Sequence, residues 1–258
     1  MASPVKAKKH LGQHFLIDLN IAQKIVNALP QDDLAIVEIG PGTGVLTQYL
    51  IDKDNFTAFD IDTESIEFLK QKYPQHEHKI QFQDFLEADL TPFASKGKFK
   101  VIGNFPYNIS TQIMFKVLEH RNDVSSLVGM FQKEVAQRIA EKPGSKAYGI
   151  LSVLLQAFYK IDYLFTVSEH VFNPPPKVKS AVIRLTRNTV MQLDCNEELF
   201  FKVVKASFNQ RRKTVRNSVK VLSGNSTVES VYLDKRAEQL SVTEFVSLTN
   251  AIESAIKK

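Results

Sequence analysis

Up to about residue 188 the chain alternates short apolar runs with stretches of helical period, and its first four runs lead into Gly40, Asp60, Asp84 and Gly103-Asn104. The runs are Ala35–Ile39, 56–59, 79–82, 99–102, 127–131, 164–167 and 180–185, with helical patterns between most of them, for example 63–72 and 111–120. Such alternation builds a parallel sheet with crossover helices. The expectation is a doubly wound α/β sheet of seven strands. A helix over 45–51 should follow the first strand. Beyond residue 188 amphipathic helical patterns dominate and no strand is expected, so the chain reads as two domains, 1–187 and 188–258. In open α/β sheets ligands bind outside the carboxyl ends of the strands. Residues far apart in sequence, Gly40, Asp60, Asp84 and Asn104, should therefore meet in one crevice.

Composition narrows the class. The 258 residues include 18 phenylalanines, which a disordered chain would not carry, and 10 glycines and 10 prolines, too few for collagen-like or low-complexity sequence. The single cysteine, Cys195, excludes a disulfide framework and a multi-cysteine metal cluster, and points to a reducing compartment. No apolar run approaches the roughly 20 residues of a membrane span. The N-terminal lysines have no apolar core behind them, so no secretory signal is read there. Cytoplasmic location is expected. Lys and Arg exceed Asp and Glu by 33 to 28, a mildly basic balance compatible with a polyanion partner.

Gly40-Pro41-Gly42-Thr43-Gly44 follows the first strand, where glycine lets a backbone turn sharply beside a ligand. The dinucleotide fingerprint G-x-G-x-x-G/A would need a small residue at 45, but that position is Val45. A pyrophosphate grip is disfavoured, and a phosphate-free ligand such as S-adenosylmethionine fits better. Gly40 and Gly42 are candidate cofactor residues. Asp60, 20 residues after Gly40, can accept from both ribose hydroxyls, and Asp84 from an exocyclic adenine amine. Alternatively these aspartates are helix N-caps.

Asn104-Phe105-Pro106-Tyr107 follows the fourth strand. An exocyclic base amine is a poor nucleophile because its lone pair is delocalised into the ring. The Asn104 side-chain carbonyl and the Pro106 backbone carbonyl can each accept one N–H of such an amine and favour its tetrahedral form. Tyr107 offers a ring for an extruded base to stack on. A simple proline turn with a packed tyrosine is the alternative.

Four segments together resemble a known family: Gly12-Gln13-His14-Phe15-Leu16, Glu38-Ile39-Gly40-Pro41-Gly42-Thr43-Gly44, Gly103 to Thr111, and Phe172-Asn173-Pro174-Pro175-Pro176-Lys177-Val178. They occur in the order found in rRNA adenine N6-dimethyltransferases. The stretch 208–217 resembles the C-terminal domain of the bacterial small-subunit (16S) enzymes. The resemblance implies a Rossmann-like class I methyltransferase domain with a small all-helical C-terminal domain. It implies transfer of two methyls from S-adenosylmethionine to N6 of each of two adjacent adenosines near the 3′ end of small-subunit rRNA, within an assembling 30S particle. Carried over by position, His14 and Leu16 border the cofactor with Gly40, Asp60, Asp84 and Asn104, and Phe172 covers the face of the adenine opposite Tyr107. An ordinary core phenylalanine is the alternative for Phe172. The family often has Asn at the position of His14, Glu at Asp60 and Leu at Phe105.

Basic residues gather in two places. Lys6, Lys8, Lys9 and His10 form an N-terminal arm, either a solvated tail or a contact to RNA backbone. Over 200–222, read as one helix, Phe200, Val204, Phe208, Val215 and Leu222 share a face and Lys205, Arg212, Arg216 and Lys220 form a neighbouring stripe. With Arg211 and Lys213 these are the candidate RNA-binding residues, since a phosphate backbone is held mainly by charge; a solvated helix face is the alternative. Arg211 falls toward the apolar side, so it is buried with a partner or the helix breaks near Asn209-Gln210. His76 and His78 make a poor metal site, and no metal is expected.

The expected function is therefore S-adenosylmethionine-dependent dimethylation of small-subunit rRNA by a monomer with no membrane or metal partner. The alternatives are the same chemistry on large-subunit rRNA, and a non-catalytic RNA-binding assembly factor of the same fold. A DNA adenine methyltransferase lacks support because no separate sequence-reading domain is apparent. A nicotinamide dehydrogenase fails on the glycine spacing.

Overall fold

A computed structural model describes residues 5–224 and 226–257. Among the described residues nine strands run in chain order: β1 (Phe15–Leu16), β2 (Ala35–Ile39), β3 (Phe56–Asp60), β4 (Ile80–Phe82), β5 (Phe99–Asn104), β6 (Val124–Gln132), β7 (Tyr159–Val167), β8 (Phe172–Asn173) and β9 (Ser180–Arg187). The helices are α1 (Leu19–Asn27), α2 (Thr63–Lys72), α3 (Thr91–Ala94), α4 (Ser110–Glu119), α5 (Lys133–Ala140), α6 (Ile150–Gln156), α7 (Glu197–Asn209), α8 (Val215–Ser218), α9 (Lys220–Ser223) and α10 (Val242–Ile256).

Seven strands form one sheet in the order β4-β3-β2-β5-β6-β9-β7. From β4 to β6 all neighbours are parallel, whereas β9 pairs with β6 antiparallel, from Ser126↔Thr186 to Gln132↔Ser180. The sheet is thus mixed rather than wholly parallel: an apolar run reports burial, not direction. The chain steps outward from β2 through β3 to β4, then returns to place β5 on the other side of β2. β1 and β8 form a separate antiparallel pair, with Leu16 opposite Phe172.

Local chemistry explains the helix starts. Asp18 accepts from the Ile21 N–H at 3.0 Å and Asp62 from the Glu64 N–H at 3.2 Å, each capping a helix N-terminus. Helix α2 turns Ile66 and Leu69 into a core shared with Ala22 and Ile25 of α1 and with Ile36, Ala58, Ile80, Ile102 and Val128 of the sheet. The expected helix over 45–51 shrinks to the 3-10 turn Thr47–Tyr49. Thr47 donates its hydroxyl to the Glu38 carboxylate at 2.8 Å, which ties this segment to the strand beneath it.

The chain forms two compact units. One holds residues up to Ala136 together with Ile161–Arg187; the other holds Gln137–Lys160 together with the residues from Asn188 onward. The division 1–187 and 188–258 is corrected in this respect: 137–160 join the C-terminal part. The reason lies in α6, where Leu151, Val153, Leu154 and Leu155 are all buried. Such a helix needs cover all round, and it packs with α7 and α10.

The helix expected over 200–222 is broken. Helix α7 ends at Asn209, Gln210 takes φ −115° and ψ 49°, and two single-turn helices, α8 and α9, follow. The Arg211 guanidinium donates to the carbonyls of Lys146 and Tyr148 in the same unit.

One packing detail accounts for Phe105. Gly103 and Gly129 lie side by side on β5 and β6, and a Cβ at Gly103 would come within 2.6 Å of the Phe105 ring, nearer still at Gly129. The ring fills the space the two glycines leave and meets Phe131 edge to face at 5.1 Å. Gly129→Ala is therefore expected to lower unfolding stability by about 1–3 kcal/mol through overpacking. Adding Phe105→Leu should recover part of that loss in denaturant titrations. An unchanged midpoint for Gly129→Ala would contradict this packing.

Candidate active site

An open cleft lies beside the carboxyl ends of β2, β3 and β5, and Gly40, Gly42, Asp60, Asp84, Asn104, Pro106, Tyr107 and His14 all line it. Gly40 and Gly42 hold φ of +67° and +54°, in the left-handed region that glycine occupies without strain. The Gly42 N–H donates to Asp60 at 3.2 Å, and the Asp62 N–H donates to the other oxygen of Asp60 at 3.0 Å. Burial pushes the Asp60 carboxyl above its ordinary value, against these backbone hydrogen bonds. Asp60 is not the cap of α2; Asp62 takes that role. Asp84 accepts from the Leu86 N–H at 2.8 Å, closing its own turn while still lining the cleft.

Asn104 ends β5. Its Nδ2 donates to the His14 carbonyl at 2.9 Å, which orients the amide and leaves Oδ1 as an acceptor. His14 Nδ1 lies 2.9 Å from the Pro174 carbonyl. A carbonyl only accepts, so Nδ1 carries the proton. The His14 ring sits 5.5 Å from the Tyr107 ring at 31°. The Pro106 carbonyl accepts from the Ile109 N–H at 3.2 Å and retains a second lone pair.

Phe172 falls outside the cleft, whereas Leu16 borders an adjoining small hollow together with Gly40, Pro41 and Asn104. Leu16 and Phe172 are 2% and 3% exposed and belong to the apolar core, where β1 and β8 pair. The Phe172 ring thus packs as a core phenylalanine here and does not face Tyr107 across the cleft. The wall contributed by residues 11–15 carries a polar latch that sequence reading missed. Gln13 donates to Asp62 at 2.9 Å, and the Lys8 ammonium pairs with the same carboxylate. Burial raises the Asp62 carboxyl, but hydrogen bonds from Gln13, Lys8 and Ser65 outweigh it and hold it below the usual range. Lys8 is accordingly engaged by the chain's own acids, not displayed on a free arm. Ile61 and Phe85, the apolar neighbours of Asp60 and Asp84, also line the cleft; that adjacency was the signal available for them.

Residues 5–254 match the family model described as ribosomal RNA adenine dimethylase. The chain belongs to the ribosomal RNA adenine dimethylase family. Curated relatives called ribosomal RNA small subunit methyltransferase A are 58% identical in Cytophaga hutchinsonii, over 96% of this chain and 98% of that protein. The Bacteroides thetaiotaomicron relative is 55% identical, over 98% and 96%. Among solved structures, a dimethyladenosine transferase from Plasmodium falciparum shares the fold at a TM-score of 0.75 and 24% identity, covering 94% of this chain and 98% of that one. The 23S rRNA methyltransferase ErmE does so at 0.68 and 24%, covering 93% and 99%.

The cofactor of a ribosomal RNA adenine dimethylase is S-adenosylmethionine, and the cleft suits it. The residues lining it include two carboxylates, Asp60 and Asp84, and neither lysine nor arginine. That set favours a cationic ligand rich in hydroxyl and amine donors over a pyrophosphate. Among the described residues no group of three or more His, Cys, Asp or Glu side chains is placed to hold a metal ion, and His76 pairs with Asp52 at 3.2 Å. No described helix is long and apolar enough to cross a membrane.

The RNA-binding candidates of the dimethylase do not form one stripe, because the helix carrying them is broken. Arg211 is held by backbone carbonyls, and Arg216 pairs with Asp234 at 3.0 Å. Arg212, Lys213 and Lys220 are exposed, as is Lys205.

Glu38 was also missed, although an acid inside an apolar strand was its signal. It shares a row of the sheet with Ala58, Ile80, Ile102 and Val128. Burial pushes its carboxyl up to about 8, against the Thr47 hydrogen bond, with the Asp60 charge adding to the rise. The folded state therefore binds this proton more tightly than the unfolded chain, and stability falls as pH rises from the unfolded value through about 8. Melting temperature of the wild type should decline between pH 6 and 9. Glu38→Gln should flatten that decline and gain up to a few kcal/mol at the alkaline end. Parallel slopes for the two proteins would contradict the assignment.

Proposed function

We propose that this chain dimethylates N6 of two adjacent adenosines near the 3′ end of small-subunit rRNA, acting as a cytoplasmic monomer on an assembling 30S particle. The observation that carries the site assignment is Asn104. Its donor is committed to the His14 carbonyl, and its acceptor stands in a cleft with Asp60 and the glycine turn. The curated relatives' name, small-subunit methyltransferase, supports the choice of target. The likeness to the 23S enzyme concerns the fold alone.

When bound, S-adenosylmethionine supplies a methyl group on a sulfonium, activated for direct displacement. Asp60 accepts the ribose hydroxyls and Asp84 the adenine amine of the cofactor. In the first transfer Asn104 Oδ1 and the Pro106 carbonyl each accept an N–H of the target amine, which draws its lone pair out of conjugation; in the second the single remaining N–H keeps one of these two acceptors. Tyr107 stacks on the target base. The protein's contribution is mostly orientation and exclusion of water, and no strong general base is required, since the proton turns acidic only after attack. The second methylation requires room for a monomethylated amine and exchange of the spent cofactor. Arg212, Lys213 and Lys220 supply charge toward the RNA backbone.

Asn104→Ala should reduce methyl transfer by at least about 100-fold, the cost of losing a positioned hydrogen-bonding group in a transition state. Its cofactor affinity, measured by calorimetry, should fall much less than its turnover, since Asp60, Asp84 and the glycine turn still hold the cofactor. Asp60→Ala should show the converse, with weakened cofactor binding. Normal turnover by Asn104→Ala would overturn the mechanism.

A further inference from the structure

We propose that Ser180 is a positioning residue for methyl transfer, its hydroxyl holding the Tyr107 phenol and so fixing the ring face offered to the target base. The inference rests on the reading of Tyr107 as the stacking ring. Ser180 is fully buried at the start of β9, and its backbone is set by pairing with Gln132 on β6. The residues that follow it, Ala181, Val182 and Ile183, are equally buried and apolar. A hydroxyl in that company costs free energy unless it is hydrogen-bonded. Its partner is the Tyr107 hydroxyl, the group at the far end of the ring.

Tyr107 belongs to the turn ahead of α4, and a tyrosine side chain there has several staggered conformations open to it. Two contacts restrict it. The His14 ring lies against one side at 5.5 Å, and Ser180 anchors the tip. His14 is itself held by Asn104 through its carbonyl and by Pro174 through Nδ1. Asn104, which accepts from the amine, and Tyr107, which carries the base, are thereby referred to one frame. That frame is closed at Pro174, where the proline run begins, and at Ser180, the first residue of β9. Misplacement of a reacting group by about 1 Å can cost roughly 100-fold in rate, so the tether acts on turnover more than on binding.

The test is a mutant cycle on methyl transfer to unmethylated small subunits, with kcat, KM for the subunit and cofactor Kd measured for each protein. Ser180→Ala and Tyr107→Phe should each lower kcat about tenfold, and the double variant should be no worse than either single one, as expected when two groups act through one shared bond. Cofactor Kd should change much less than kcat, because the glycine turn, Asp60 and Asp84 are left intact. Tyr107→Ala, which removes the ring, should fall well below Tyr107→Phe. Full activity of Tyr107→Phe overturns the proposal whatever Ser180→Ala does, even if that variant fails to fold. So do effects that multiply in the double variant. If Tyr107→Phe is fully active while Tyr107→Ala is dead, the stacking reading stands and only the tether falls. Full activity of Tyr107→Ala removes both.

Discussion

Strand β5 lies on the opposite side of β2 from β3 and β4. Connections on the two sides of such a switch point diverge, and a crevice opens between them at the strand ends. Everything assigned to the chemistry hangs on that reversal. It brings the glycine turn after β2, the aspartate at the end of β3 and the asparagine at the end of β5 to one cleft. Residues 11–15 then close the wall, and they too are tied to the strand ends, through Asn104 to His14 and through Asp62 to Gln13.

The site places several acids in partly or fully buried positions, and each is stabilised differently. Glu38 leans on Thr47 and holds its proton to about pH 8. Asp60 is held by backbone N–H groups and still titrates above its ordinary value. Asp62 has enough donors to fall below it. A buried carboxylate costs free energy unless its lone pairs are satisfied. Asp60 can accept further hydrogen bonds, and a ligand bearing hydroxyls offers donors that offset its desolvation. Cofactor binding and the stability of this end of the sheet are on that account linked.

Much of this was legible in the sequence because the strands are punctuated. Runs such as Ala35–Ile39 end on residues that cannot continue a strand comfortably, and those residues are the ones facing the cleft. The Asn104-Phe105-Pro106-Tyr107 turn was readable for the same reason: a special chemistry sits where the topology requires a ligand. What escaped depends on partners remote in sequence. Phe172 pairs with Leu16 in two-residue strands, too short to leave a period, and that pairing carries the Phe172 ring into the core. Lys8 carried a positive charge whose partner, Asp62, lies on another segment. The apparent basic stripe assumed one helix from 200 to 222. The helix instead breaks after Asn209, and the carbonyls that hold Arg211 belong to a segment, 137–160, that the strand-and-helix pattern had assigned to the other domain.

The most direct measurement offers radiolabelled S-adenosylmethionine with unmethylated small subunits, large subunits and naked DNA in parallel. The account predicts label in small-subunit rRNA, recovered as N6,N6-dimethyladenosine at two adjacent positions near the 3′ end. Label confined to large-subunit rRNA, or no label in any substrate despite tight cofactor binding, would contradict it.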